Sequence, residues 1–368
     1  MMKERPKNLI RLLAFYLPQY HPIPENNEWW GKGFTEWTNV AKARPLFSGH
    51  YQPHIPADLG YYDLRLSEVR VAQAKLAREY GIYGFCYYHY WFNGRRILER
   101  PFSEVLNSGN PDFPFCLCWA NENWTRSWDG GNDKILLQQH YCSEDDVKHI
   151  RSLIPALADA RYIRINGRPL LLIYRTELLP DPKRTADCWR TIALKEGIGE
   201  LYLARVESFY GDIAPEHIGF DAAIEFAPDW GNLGRPTCRH LMSRLASKIG
   251  LESKCFQVNS VVSYEKMVHL MLDKKNKPYS WFRCVTPGFD NSARRNVNAA
   301  IITGATPDIY GSWLQKMINK SRSNSNCDER IVFINAWNEW AEGNHLEPDL
   351  KWGRKFLEAT KQSLLLPA

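Results

Sequence analysis

Short apolar runs alternate along this chain with longer segments of helical periodicity, and that alternation limits the fold more than any other sequence feature. Strands of a parallel sheet are buried on both faces, so they read as short apolar runs between the amphipathic helices that cover the sheet. The sequence predicts strands at 12–16, 84–88, 115–119, 170–174, 202–206, 222–226, 281–285 and 331–336. It predicts helices most clearly at 67–80, 144–160, 185–196, 264–273, 308–320 and 351–364. Eight strands that alternate with helices predict an α/β fold, a (β/α)8 TIM barrel with long βα loops.

An open, doubly wound sheet is the alternative architecture, because the strand at 281–285 and a helix before Ala222 have weak patterns. The first of the helices has Ser67 as its predicted N-cap and Gly81 just beyond its C-terminus. The sequence contains no low-complexity linker and no internal repeat, so we expect residues 1–368 to form a single barrel domain.

Composition and charge exclude several classes of partner. The net charge of +6 is small for 368 residues, and no block of Lys and Arg is long enough to indicate a nucleic-acid partner. No apolar run approaches the length of a transmembrane segment, and Arg11 interrupts the apolar stretch that resembles a signal peptide. There are nine cysteines and no Cys-x-x-Cys, and Cys86, Cys116, Cys118 and Cys284 lie in apolar runs, which indicates buried, reduced thiols. We therefore expect a cytoplasmic protein.

Polar and aromatic side chains collect where the predicted strands end. In a (β/α)8 barrel the active site lies at the C-terminal ends of the strands. The chain has 14 Trp and 18 Tyr, many of them in polar surroundings, and aromatic faces of this kind suit a sugar-binding cleft. The predicted substrate-binding residues are Tyr16, Gln19, His21, Trp30, Glu36, Trp37, Tyr88, His89, Tyr90, Trp119, Asn121, Glu122, Trp124, Glu225, Asn338 and Trp340.

Some of these residues have a structural alternative. Tyr88, His89 and Tyr90 alternate along one strand, so one subset has to point into the helix layer. Arg175 and Glu207 also follow strands, where a structural ion pair at the barrel rim is an equal alternative.

Glu339 and Glu342 are the predicted catalytic residues, three positions apart after the last predicted strand. In a continuing strand they would point to opposite faces, whereas in a turn they share a face, with Cβ atoms about 5–6 Å apart. Two acids at that separation suit cleavage of a glycosidic bond with retention of configuration. A solvated acidic turn is the alternative for an arbitrary Glu-x-x-Glu, and the polar and aromatic strand ends favour the catalytic interpretation.

Other chemistries lack their sequence signatures. Gly31 and Gly33 form a Gly-x-Gly, but no apolar strand precedes it and Glu36 occupies the place of the third glycine of a dinucleotide site. The chain has no P-loop, no Gly-x-Ser-x-Gly, no His-Glu-x-x-His and no Asp-x-Asp. Pro53 separates His50 from His54, which argues against a helical zinc site. We therefore expect no cofactor and no metal.

Four segments of the sequence resemble the WbsX family of bacterial O-antigen and capsule gene clusters. They are residues 15–21 (FYLPQYH), 29–37 (WWGKGFTEW), 118–124 (CWANENW) and 338–343 (NEWAEG). The resemblance covers about residues 12–347 and extends, more distantly, to glycoside hydrolase family 99. It implies a (β/α)8 barrel and a retaining, endo-acting hydrolase of α-mannosidic linkages that works through a 1,2-anhydro sugar.

The resemblance also assigns unequal roles to the two acids. By motif position, Glu339 would deprotonate the 2-hydroxyl of the sugar, and that oxygen would attack the anomeric carbon. Glu342, held protonated by burial beside Trp340, would protonate the leaving oxygen. Ala341 stands where family 99 sequences commonly have His, which leaves the sugar configuration open. In a 2-acetamido sugar the acetamide would have to replace the hydroxyl.

The sequence thus predicts an enzyme that cleaves glycosidic bonds in a bacterial surface polysaccharide or its precursor, on an oligo- or polysaccharide that is free or lipid-linked. Two alternatives stay open. One is a glycosyltransferase of O-antigen or capsule synthesis, and the other is a non-catalytic glycan-binding protein on a hydrolase scaffold.

Overall fold

A computed structural model describes residues 10–126, 131–208, 213–234, 255–295 and 297–366. Within these residues, eight parallel strands form a closed barrel, and each contains one of the predicted apolar runs or most of it. The strands are β1 (Arg11–Tyr16), β2 (Ile82–Phe92), β3 (Phe115–Trp119), β4 (Arg168–Ile173), β5 (Tyr202–Glu207), β6 (Ala222–Glu225), β7 (Trp281–Val285) and β8 (Ile331–Ile334). Strand β1 pairs with both β2 and β8, which closes the barrel. The predicted (β/α)8 fold is confirmed.

Helices fill most of the connections between these strands. They are α1 (Pro24–Trp30), α2 (Glu36–Lys42), α3 (Ser67–Glu79), α4 (Arg100–Ser108), α5 (Ser143–Ala158), α6 (Pro182–Lys195), α7 (Cys255–Val258), α8 (Tyr264–Asp273), α9 (Pro307–Arg322) and α10 (Lys355–Leu365). The predicted N-cap of α3 was wrong by one residue: the Leu66 carbonyl accepts the first helical hydrogen bond, from Arg70 N–H, so Ser67 is already helical. Between β5 and β6 the described residues contain a 3₁₀ turn, Pro215–Ile218, where the helical pattern is weak.

Shorter strands shape the loops around the barrel. Ser260–Ser263, Phe289–Asp290 and Ala300–Thr303 form a three-stranded sheet beyond the end of β7. Asn338–Glu339 pairs with Asn344–His345, and Trp124–Arg126 pairs with Gly131–Leu137. Arg95–Ile97 pairs with β2, and Arg164–Ile165 pairs with β4. The three-stranded sheet matters for the site described below, because the loop between Phe289–Asp290 and Ala300–Thr303 contributes Arg294 to it.

The barrel strands are buried on both faces. Inside the barrel, the ring of Phe15 packs against Tyr88 and Phe333, each at a centroid distance of 5.5 Å. The next residue, Tyr16, points outward, and its hydroxyl donates to Gln73 Oε1 of α3 at 2.7 Å. Because both faces are covered, every strand reads as apolar and the sequence gives little sign of which face is which.

The remaining sequence expectations can be compared with the described residues. Cys86, Cys116, Cys118 and Cys284 are buried and reduced, whereas Cys142 and Cys327 are exposed. In the described part of the chain, no helix has the length and apolar character needed to cross a membrane.

Candidate active site

The turn that carries Glu339 and Glu342 follows β8 at the C-terminal end of the barrel. A short strand, Asn338–Glu339, leads into a 3₁₀ turn, Trp340–Glu342, which ends at Gly343. The Asn338 amide accepts from Leu17 N–H at 2.8 Å and donates to the Leu17 carbonyl at 3.0 Å. The Tyr20 hydroxyl donates to the Asn338 carbonyl at 2.5 Å and accepts from Trp340 N–H at 3.1 Å. The loop after β1 therefore fixes the backbone of the turn on both sides of Glu339.

Arg294 joins the two acids. Its Nη2 donates to Glu339 Oε2 at 2.9 Å, and its Nη1 donates to Glu342 Oε1 at 2.5 Å. Its Nε donates to Oε2 of Glu36, at 3.0 Å, from the start of α2. Two carboxylates that contact one planar guanidinium have to lie on the same side of the turn, which is the arrangement that the three-residue spacing predicted.

Burial and crowding of carboxylates shift the acid–base behaviour of the cluster. Burial raises the pKa of Glu339 to about 8; Glu342 and Glu36 add to the rise, and Arg294 opposes it. Burial also raises the pKa of Glu36, and again Arg294 opposes it. Burial works against the charge of Arg294, yet the three carboxylates hold its pKa well above its usual range. Arg294 therefore stays cationic, and burial favours the protonated form of Glu339.

Glu342 is less sequestered than the sequence argument assumed. Its side chain is 24% exposed, compared with 8% for Glu339. Trp340, which was expected to bury Glu342, instead turns its indole away: Nε1 donates to Glu347 Oε2 at 2.6 Å, and the ring stacks on His345 at a centroid distance of 3.7 Å. Glu342 thus faces the open side of the site, where a leaving oxygen or water can reach it.

A cavity of about 560 Å³ opens over the two acids at the C-terminal ends of the strands. This volume lies in the range of small-molecule binding sites. The predicted residues that line it are Gln19, Trp30, Tyr88, Tyr90, Glu122, Trp124, Glu339 and Glu342. Four aromatic rings and four polar or acidic side chains therefore surround one space, which is the mixture that a sugar ring with its hydroxyl groups requires.

Three predicted residues point into the helix layer instead. Tyr16 bonds to α3, as described above. His89 Nε2 lies 3.0 Å from His149 Nε2 of α5, and the Trp119 ring packs against His149 at 4.5 Å. Along β2, Tyr88 and Tyr90 face the cavity and His89 faces outward, which settles the alternation that the sequence left open.

Other predicted residues brace the loops at the barrel rim. Asn121 donates to the Arg175 carbonyl and accepts from Arg175 N–H, each at 2.8 Å. His21 Nδ1 lies 2.9 Å from the Pro18 carbonyl. The Trp37 ring packs on Tyr20 at 4.6 Å, away from the cavity lining. Asn338 and Trp340 position the turn that carries Glu339 and Glu342 through the contacts already given, and none of these five lines the cavity.

The remaining predicted carboxylates have cationic partners. Glu36 is fully buried behind Arg294 and reaches the cavity only through that guanidinium. Glu225 is also buried, and its Oε2 accepts from Arg283 Nε at 2.8 Å. The alternative ion pair between Arg175 and Glu207 was wrong, since Arg175 pairs with Glu122 and Glu177, and Glu207 pairs with Arg205.

Sequence reasoning missed the residues that follow β7. Arg294, Arg295 and Asn291 line the cavity together with Phe289, and Trp230 lies nearby after β6. The rule that the segment after each strand faces the site also applies to β7. The sequence analysis proposed no residue after that strand, so it missed this group.

Comparison with known proteins identifies the family. The family model described as "Glycosyltransferase WbsX" matches residues 12–360. The chain belongs to the WbsX family. Two curated relatives, each named "Uncharacterized protein WxcX", come from Xanthomonas campestris pv. campestris, strains ATCC 33913 and B100. Each is 44% identical over 353 residues, which make up 96% of this chain and 49% of the relative. This WbsX-family chain therefore spans about half the length of the curated relatives it matches.

Solved structures share the fold at low sequence identity. The GH99 endo-alpha-mannosidase from Bacteroides thetaiotaomicron, in complex with bis-tris-propane, superposes with a TM-score of 0.55 at 14% identity and covers 96% of both chains. A "Glycoside hydrolase-like protein" gives a TM-score of 0.58 at 13% identity, over 97% of this chain and 94% of its own. At such identities the likeness shows the fold alone, a (β/α)8 barrel that this WbsX-family chain shares with both structures.

Proposed function

We propose that this WbsX-family chain is a carbohydrate-active enzyme that cleaves glycosidic bonds, with retention of configuration, in a bacterial surface polysaccharide or its precursor. The observation that carries the proposal is the pairing of Glu339 and Glu342 through Arg294 beside an aromatic-lined cavity. The family match and the fold shared with an endo-alpha-mannosidase support the substrate class.

In the proposed reaction, Glu339 and Glu342 each accept and donate one proton. The Glu339 carboxylate takes the proton of the sugar 2-hydroxyl while the 2-oxygen attacks the anomeric carbon. The bond from that carbon to the leaving oxygen breaks as Glu342 donates its proton to the oxygen, which gives a 1,2-anhydro sugar. Glu342 then takes a proton from water as the water oxygen attacks the anomeric carbon. The bond from that carbon to the 2-oxygen breaks, and Glu339 returns its proton to the 2-oxygen. Two inversions at the anomeric carbon give net retention.

The electrostatics of the cluster suit the role of Glu339 as the base. A base is stronger when its conjugate acid has a higher pKa, and a pKa of about 8 gives Glu339 far more driving force than an ordinary carboxylate. Arg294 keeps part of Glu339 ionised near neutral pH, because it opposes the rise caused by burial. The partial exposure of Glu342 gives it access to the leaving oxygen and to water.

Hydrolysis of an α-mannosyl fluoride separates the two roles. Fluoride leaves without protonation, so Glu342→Gln should keep the first step on the fluoride while losing roughly 10²- to 10⁴-fold on an unactivated α-mannoside. Glu339→Gln should lose activity on both substrates, because the 2-oxygen stays protonated. Glu358→Gln, at an exposed position of α10, is the matched control and should behave as the unmodified chain does. Turnover of the unactivated mannoside at the unmodified rate by both active-site variants would show that these acids do not act on the bond.

A glycosyltransferase is the second candidate, because the matched family carries that description. A sugar hydroxyl would then replace water in the second step, with the same two acids. Consumption of a sugar nucleotide in the presence of a lipid-linked acceptor would favour transfer. Binding of a glycan without turnover of any donor would instead favour a glycan-binding protein on a hydrolase scaffold.

A further inference from the structure

A second cavity, of about 320 Å³, lies on the other side of the turn that carries Glu339 and Glu342. Residues from the loop after β1, the three-stranded sheet and the loop after β8 line it. Three of them, His54, His345 and Asp349, have metal-binding atoms that all lie within 4.8 Å of one another. His345 and Asp349 are buried, and His54 is half-buried.

We propose that His54, His345 and Asp349 bind one divalent transition-metal ion of the Zn²⁺ class, with its fourth position open to this cavity. Two imidazoles and a carboxylate are a frequent ligand set for Zn²⁺, and the imidazoles favour a transition metal over Mg²⁺ or Ca²⁺. The reaction assigned to the two glutamates does not use these residues, so the metal site stands or falls independently of it.

The distances between the ligand atoms suit a tetrahedral ion after a small adjustment. His54 Nδ1 lies 2.8 Å from His345 Nε2, and His345 Nε2 lies 4.0 Å from Asp349 Oδ2. Bonds of about 2.0–2.2 Å to one tetrahedral ion place two ligand atoms roughly 3.3–3.5 Å apart. The two imidazole nitrogens have to move apart by about half an ångström, and Asp349 Oδ2 has to approach His345 Nε2 by about the same distance. Rotation of the side chains can make both changes.

The neighbouring contacts already orient two of the ligands. His345 Nδ1 lies 2.8 Å from the Glu347 carbonyl, so its N–H donates there and leaves Nε2 unprotonated in the neutral ring. A backbone carbonyl that holds the second nitrogen in this way is typical of metal-binding histidines. Trp352 N–H donates to Asp349 Oδ1 at 2.6 Å, which leaves Oδ2 on the side of His345.

His50 lines the same cavity but is already engaged. Its Nε2 lies 2.6 Å from Asp290 Oδ2, and its Nδ1 accepts from Leu46 N–H at 3.0 Å. Both ring nitrogens of His50 therefore contact residues outside the cluster, whereas the ligand atoms of His54, His345 and Asp349 lie within 4.8 Å of one another and form the proposed set.

The position of the ligands would let the ion brace the turn that carries Glu339 and Glu342. The His345 ring stacks on Trp340, which lies between Glu339 and Glu342 in the sequence. A Cβ added at Gly343 would lie 3.3 Å from His54 Cε1, so His54 packs directly against the end of the turn. An ion bound here would connect the loop after the first strand to the loop after the last one and hold the catalytic turn against both.

Co²⁺ is a suitable probe, because four-coordinate Co²⁺ absorbs strongly in the visible range whereas Zn²⁺ is silent. The unmodified chain, stripped with a chelator, should bind one equivalent of Co²⁺ with that absorption, and Zn²⁺ should displace it. His345→Phe keeps a ring on Trp340 and His54→Phe keeps the ring volume, and both should lose the absorption. His269→Phe, at an exposed position of α8, is the matched control and should retain it. Absence of saturable Co²⁺ binding, or equal binding by both ligand variants, would overturn the proposal.

A measurement on the unmodified chain covers the case in which a variant fails to fold. X-ray absorption of the Zn²⁺-loaded protein should show only nitrogen and oxygen neighbours at about 2.0–2.2 Å, with the multiple scattering of two imidazoles. Sulfur neighbours at about 2.3 Å would place the ion on cysteines and contradict the site. Zn²⁺ should also raise the thermal midpoint of the unmodified chain, while an equal concentration of Mg²⁺ leaves it unchanged.

Discussion

Arg294 contacts three carboxylates at once, and at the residue scale this guanidinium is the shared partner of Glu36, Glu339 and Glu342. Without it, the buried carboxyl groups of Glu36 and Glu339 would lose the cation that lowers their pKa values, and both would favour their protonated forms more strongly. With it, Glu339 keeps a pKa of about 8, within reach of a base that works near neutral pH. Arg294 is therefore a positioning and charge-balancing residue for the reaction.

Replacement of Arg294 should move the pH dependence of the reaction. Arg294→Gln removes a group that lowers the pKa of Glu339, so that pKa should rise above about 8. Because Glu339 has to be ionised to take the 2-hydroxyl proton, the rising limb of kcat/KM against pH should move to higher pH. Arg294→Lys keeps a positive charge and should shift the limb less. An unchanged limb in an active Arg294→Gln variant would contradict the role of the guanidinium.

Glu339 should also make the stability of the chain depend on pH. Its folded pKa of about 8 exceeds the value of about 4.3 for a carboxyl group in an unfolded chain. Between these values the folded chain holds a proton that the unfolded chain has released, so stability falls as pH rises through the window. Glu339→Gln cannot titrate, so its thermal midpoint minus that of the unmodified chain should grow from about pH 5 to about pH 8. A difference that does not change with pH would exclude the raised pKa.

At the element scale, the turn that carries Glu339 and Glu342 depends on the left-handed backbone of Gly343 and on the buried carboxyl group of Glu347. Gly343 has φ of 56°, and a Cβ there would lie 3.2 Å from Asp290 Cβ. Below the turn, Glu347 accepts from Trp340 Nε1 at 2.6 Å, Tyr62 hydroxyl at 2.8 Å and Gln73 Nε2 at 2.6 Å. The first feature sets how the chain leaves the turn, and the second sets where Trp340 lies.

Gly343→Ala should destabilise the chain and slow turnover together. A left-handed conformation costs an L-residue about 1–2 kcal/mol, and the added Cβ also crowds Asp290 and His54. Gly353→Ala is a matched control, because Gly353 has φ of 54° but an added Cβ meets nothing within 4 Å. Chemical denaturation should show a larger loss of unfolding free energy for Gly343→Ala than for Gly353→Ala. Equal losses would mean that the crowding behind the turn has no energetic effect.

Glu347 should be sensitive to the loss of its oxygens rather than of its charge. Burial raises the pKa of Glu347 to about 7, so the protonated form is well populated near neutral pH. Glu347→Gln keeps one acceptor oxygen but turns an NH2 group toward the remaining donor, so it should cost less than Glu347→Ala, which leaves all of these buried donors without a partner and should cost about 2–4 kcal/mol of unfolding free energy. Denaturation curves of the two variants at one pH measure the difference, and equal destabilisation would contradict this account.

At the scale of the whole molecule, the barrel could be predicted because burial on both faces makes each strand a short apolar run. Each of the eight runs lies wholly or mostly in a barrel strand, including 281–285, whose pattern was weak. Which polar residues at the strand ends line the cavity, and which bond to the backbone of neighbouring loops, could not be predicted. Asn121 and Asn338 satisfy backbone groups of neighbouring loops, while Gln19 and Glu122 line the cavity, and all four look alike in sequence.

Arg294 could not be assigned for a different reason. It lies 45 residues before Glu339 and 258 residues after Glu36, and only the path of the loop after β7 brings it between them. The proposed metal ligands could not be assigned for the same reason, because His54 and His345 are 291 residues apart. A local pattern can place a residue at a strand end, but it cannot specify which long-range partner the residue meets there.

The central claim is that Glu339 and Glu342 act on one sugar at one bond. A crystal structure of the protein soaked with a manno-configured iminosugar tests it most directly. The account predicts a 2-hydroxyl within about 2.6–3.2 Å of a Glu339 oxygen and the ring nitrogen, which marks the anomeric region, next to Glu342. An iminosugar bound at the rim, out of reach of both carboxylates, would contradict it.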